Sequence, residues 1–156
     1  MTHHAEMSAA AAFAGGDVAP DVAASSPLAT RSFAALVREN AVEGCARETF
    51  GALLACWQAA TAGDPALRRL MTGIASDETA HAALSWQIHG WAADRLAPAQ
   101  RRRVTDELRA AFAELEQGAA APLLADAGER AAFGLPVPEI AVGLARALGH
   151  ALTAAA

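Results

Sequence analysis

The chain has 156 residues, 54% of them apolar, and a formal net charge of −5 with a pI near 5.5. That acidic balance argues against a nucleic-acid or anionic-membrane partner, and no apolar run reaches the roughly 18 residues a membrane-spanning helix needs. Alanine supplies much of the apolar content, tyrosine is absent and β-branched residues are scattered, so an all-α fold is expected.

Residues 1–14 read as the tail of a helix ended by Gly15-Gly16, and Asp17 to Ser26, with Pro20 and Pro27, as a loop. The opening stretch lacks a basic region and carries Glu6 where a secretory signal would be apolar, which points to a cytoplasmic protein. A first long helix is predicted from Ala29 or Ser32 to Ala62, with Gly63 as its stop. Asp64-Pro65 then opens a second: an acceptor at the cap, followed by proline at the first helical position. It can run to about Leu96, where Pro98 ends it. Each helix spans roughly 45 Å, and so short a connection makes them an antiparallel hairpin. A third helix, Ala99 to Gln117, places Val104, Leu108, Ala111, Phe112 and Leu115 at helical spacing. Gly118 to Pro138 reads as irregular, and Pro138-Glu139 starts a last apolar helix. The expected organisation is one domain over residues 1–156: a helix and loop (1–31), the hairpin (32–96) and C-terminal helices (99–156). Cys45 and Cys56 lie on one predicted helix about 16 Å apart, too far to bridge, so reduced thiols are expected.

Heptad counting predicts where chemistry sits. In the second helix Leu67, Ile74, His81 and Ile88 share one seam position, and Met71, Glu78, Ser85 and Ala92 the other. Glu78 and His81 therefore take core positions one turn apart, where a carboxylate needs a cation, a proton or a donor. In the first helix the seam reads Leu36, Glu43, Phe50, Trp57 and Glu39, Ala46, Leu53, Ala60. Across the turn at Gly63-Asp64, Glu43 comes within about 5–9 Å, along the axis, of the level of Glu78 and His81, so the three can share one ion. A lone buried ion pair is the plainer alternative. Arg47 and Glu48 fall off the seam and read as surface pairs, and Cys45 falls on the opposite face. Trp57, Trp86 and Trp91 read as packing residues, and His89 as a core side chain or a support behind the ligands. An internal echo, His4-Ala5-Glu6-Met7-Ser8 against His81-Ala82-Ala83-Leu84-Ser85, suggests a second, incomplete copy of the motif.

Glu43-Gly44-Cys45-Ala46-Arg47-Glu48-Thr49 and Ile74-x-x-Asp77-Glu78-x-x-His81-Ala82 resemble the second half of a bacterial ferritin-like (di-iron carboxylate) domain, in which a helix with one Glu pairs with a helix bearing Glu-x-x-His. The resemblance covers roughly residues 33–91. It implies Glu43 and Glu78 as carboxylate ligands, His81 as a nitrogen ligand, Glu39 as an added ligand or entry charge, and His4 as the first repeat's histidine. The first repeat's own Glu-x-x-His has lost its Glu. One chain would thus hold half a di-metal site, completed by a homodimer around iron or manganese, with iron oxidation and storage or oxygen-dependent redox as the chemistry. The competing expectation is a metal-free helical interaction module whose carboxylates are protonated or paired with arginine.

Overall fold

A computed structural model of the chain describes residues 31–120 and 126–153, whose regular elements are all helices, with no strand among them. The helix expected over residues 1–14, the loop that follows and His4 lie outside the described residues. The chain divides into two units between Arg31 and Ser32, and every described helix belongs to the second.

The first long helix is a composite. Helix α1 (Phe33–Glu39) is capped by Ser32, whose hydroxyl accepts from the Ala35 amide at 3.2 Å. It passes without a break into a nine-residue π-helical segment (Asn40–Glu48) and then into α2 (Thr49–Thr61). Helix α3 (Pro65–Ala93) opens as the sequence dictates, with Asp64 accepting from the Ala66 amide at 2.7 Å and Pro65 in the first turn. Helix α4 (Pro98–Ala119) begins after Ala97, whose amide donates to Gln100 at 3.1 Å. A short α5 (Ala127–Phe133) and a final α6 (Pro138–Thr153) complete the chain.

Helix α5 falls in the stretch expected to be irregular. Its signature is local: Asp126 accepts from the Glu129 amide while Glu129 accepts from the Asp126 amide, at 2.8 and 3.0 Å. Gly134 closes it in the left-handed conformation at φ 64°, where a side chain would run into Ala62. The Gly63 amide donates to the Ala131 and Ala132 carbonyls, which ties the hairpin turn to α5.

Helices α2 and α3 form the antiparallel hairpin, and their buried faces are largely alanine: Ala52, Ala55, Ala75 and Ala82. Small side chains let the two axes approach closely, which is how an alanine-rich chain makes a core. The bulkier core lies beside the hairpin, where α4 packs on the π-helical segment and on α6, and includes Val37, Cys45, Leu96, Val104, Leu108 and Phe112. Three of the five positions expected on α4, Val104, Leu108 and Phe112, supply its largest buried side chains. Two charge-assisted bonds tie α4 to its neighbours: Arg38 to Glu107 at 2.7 Å and Arg146 to Glu116 at 2.6 Å. Both are solvent-exposed and contribute little to stability.

The heptad seam is only partly realised. Phe50 and Ala46 are buried and Trp57, Leu67 and Ile74 half-buried, but Leu36 and Ile88 are exposed. The reason on the first helix is the π segment. Its i→i+5 bonding places more than 3.6 residues in each turn, so the buried line runs Val37, Ala41, Cys45 and Ala46, Phe50. A strict seven-residue step cannot follow that line. On α3 the buried line is Ala75, Ala82, Ser85 and Ala92: Ser85 and Ala92 are expected seam positions, while Ala75 and Ala82 lie one residue beyond Ile74 and His81. Alanine wins the inner positions because α2 presents alanine against it.

Candidate metal centre

Helix α3 brings Glu78 and His81 together as a neighbouring pair, with Glu78 Oε2 3.9 Å from His81 Nδ1 and side-chain exposures of 27% and 57%. Glu78 keeps the half-buried place its seam position predicts, while His81 stands one residue off the buried line and faces solvent. Two donors about 2.1 Å from one first-row ion lie roughly 3.0–3.4 Å apart at octahedral to tetrahedral angles. The pair is slightly wider than that, a gap that a small rotation of an exposed imidazole closes. The donor types fit iron(II) or manganese(II), which accept carboxylate and imidazole. The donor count does not fill a coordination sphere.

Glu43 sits elsewhere. It is exposed, 3.6 Å from Arg47 one turn along, and the same guanidinium lies 3.8 Å from Glu114 of α4. Glu39 is exposed near the end of α1. Among the described residues no three of His, Cys, Asp and Glu are assembled as a group able to hold a metal ion.

The carboxylate of the first helix that does face α3 is Glu48, expected at the surface. It is half-buried and accepts from the Ser85 hydroxyl at 3.3 Å. Around it the π segment and α3 share a polar cluster. Asn40 Nδ2 donates to the Ser85 carbonyl at 3.0 Å and to Cys45 Sγ at 3.7 Å. The Thr49 hydroxyl donates to the Cys45 carbonyl at 2.6 Å and accepts from Trp86 Nε1 at 3.0 Å. Gly44 makes this approach possible, because a Cβ there would overlap the Ser85 side chain. Cys45, far from lying on an outer face, is fully buried; burial, and then the nearby Glu48 charge, push its thiol up to about 12. It is therefore an unreactive core thiol, whereas Cys56 is exposed and free. The signal for this cluster in the sequence is Asn40, Gly44 and Glu48 at four-residue steps on one side of the helix, with Thr49 brought nearer to them by the wider π turn.

His89 completes the interface. Its ring meets Trp86 edge-on at 5.7 Å, and its Nδ1 is buried without a partner. Burial holds its pKa below the ordinary imidazole value. The sign follows from proton uptake: below about 6.5 the unfolded chain takes up a proton that the folded chain refuses. The stability contributed by the neutral ring is thus fully present above pH 6.5 and is lost as pH falls toward the lowered folded value. Denaturant melts between pH 7.5 and 5.5 should show this loss in the wild type and a shallower one in His89→Phe.

No protein-family model, no curated protein and no solved structure matches this chain. Among the described residues no single helix is long and apolar enough to cross a membrane.

Proposed function

We propose that the chain is a ferritin-like metal-binding protein that holds iron or manganese between two copies, with Glu78 and His81 as the ligands each copy contributes. The observation that carries this reading is the Glu78–His81 pair on one face of α3, a carboxylate and an imidazole 3.9 Å apart. A bound iron would supply the redox chemistry of iron oxidation and storage or of oxygen-dependent oxidation. The chain's own residues would bind and orient it, His81 from the solvent side and Glu78 from the half-buried side. Glu43 serves this site only by leaving Arg47, so its role as a ligand is the weakest part of the resemblance.

Metal that binds the folded dimer but not the unfolded chain stabilises it by about 2.7 kcal/mol at 100 times the dissociation constant. Iron(II), under anaerobic conditions, or manganese(II) should therefore raise the melting temperature and, at concentrations where monomer and dimer coexist, increase the mass in solution. Glu78→Ala and His81→Ala should each remove both responses, and Glu114→Ala should leave them. A wild-type chain with no response well above micromolar metal would overturn the reading.

A second reading has its own observation. Arg47 lies between Glu43 and Glu114 at 3.6 and 3.8 Å, so arginine occupies the carboxylate that the resemblance assigns to metal. This suits a metal-free helical interaction module, which the same titration would reveal by its silence.

A further inference from the structure

Helix α3 carries a second apolar stripe, outside the line that packs on α2. Leu84, Ile88 and Trp91 are 55%, 40% and 54% exposed, and they follow one another at three- and four-residue steps on one face. Phe33 of α1, itself exposed, meets Trp91 edge-on at 5.9 Å and extends the stripe. Toward the start of the helix the same side of α3 continues through half-buried Ile74 and Leu70, with Asp77 and His81 at its middle.

We infer that a second copy of this chain docks on the stripe, α3 against α3 in antiparallel register about a two-fold axis at the level of Thr79. The residue order is what selects a second copy. In that register Leu84 meets the partner's Ile74, Ile88 meets the partner's Leu70, and His81 meets the partner's Asp77. Apolar positions thus fall on apolar ones, and the one imidazole falls on a carboxylate, twice over, because a two-fold contact repeats every pairing. A slip of one helical turn sets Asp77 against the partner's Leu84, and a slip of two sets it against the partner's Ile88, so either loses that complementarity. The axis also brings both Glu78–His81 pairs to the centre of the contact, so the proposed metal reading gains its missing ligands there. The inference rests on that reading only for the metal, since the apolar pairings stand without an ion.

The test separates the two. In the full chain with Cys56→Ser, the double substitution Asp77→Cys and His81→Cys should give a disulfide-linked dimer on mild oxidation, with no metal present, because facing positions of packed helices lie within disulfide reach. Leu84→Glu and Ile88→Glu, both at exposed positions, should keep the wild-type helical signal in circular dichroism and weaken dimerisation at least 100-fold in sedimentation. A crosslinked dimer with no response of the wild type to iron or manganese would uphold the docking and remove the metal. A wild-type chain that sediments as a monomer at high concentration, or cysteines that fail to crosslink, would overturn the docking.

Discussion

Leu108→Ala is expected to lower unfolding stability by about 2–5 kcal/mol, measured by urea or thermal melts. Leu108 is 1% exposed, among the largest fully buried side chains, and sits mid-way along α4 where the π segment and α6 both pack. It belongs to one buried cluster with Ala41, Cys45, Val104, Ala111 and Phe112. The loss combines the transfer of the removed carbons with whatever cavity the surrounding cluster leaves unfilled. Domains of this size have only about 5–15 kcal/mol to lose. The chain should remain folded but melt at a clearly lower temperature.

Gly44→Ala should destabilise by about 2 kcal/mol, against the helix propensity that favours alanine by up to about 1 kcal/mol. The new methyl would overlap the Ser85 side chain, and Ser85 is held by bonds to Asn40 and Glu48. The contrast is Gly51→Ala, where a Cβ would meet nothing within 4 Å beyond its own turn of helix and the residue is exposed. There the same substitution should stabilise by about 0.5–1 kcal/mol. Adding Ser85→Gly to Gly44→Ala should recover part of the loss, so the double variant is less unstable than the two single losses combined. Equal effects at Gly44 and Gly51 would mean that the close approach of the π segment to α3 is not present in solution.

What the sequence made legible was local. Asp64-Pro65, Gly63 and Pro98 each act on the few residues beside them, and they place the hairpin and the start of α4 where the structure has them. The periodicity of α4 was equally readable, because one unbroken α-helix keeps its period. The site was harder for a related reason. Choosing Glu43 over Glu48 as the inward carboxylate assumes that 3.6 residues make every turn, and the π segment between them breaks that assumption. The exposed side of α3 is hard to read because Ile74, His81 and Ile88 look more core-like than Ala75, Ala82 and His89. Where two helices meet through alanine, bulk is not a guide to burial. The capping pair Asp126 and Glu129, with Gly134 beyond, is a local signal for α5 that the reading of residues 118–138 as irregular passed over.

The π-helical segment also works as a rotational offset between the two ends of one continuous rod. Each added residue turns an α-helix by about 100°, so shortening residues 40–48 by one would swing α1 around the rod axis and leave α2 in place. Phe33 would turn away from Trp91 and Arg38 away from Glu107, although neither lies in the segment itself. The facing of α1 is thus set by chain length in the segment that follows it, and changes of length there cannot be exchanged for changes of residue.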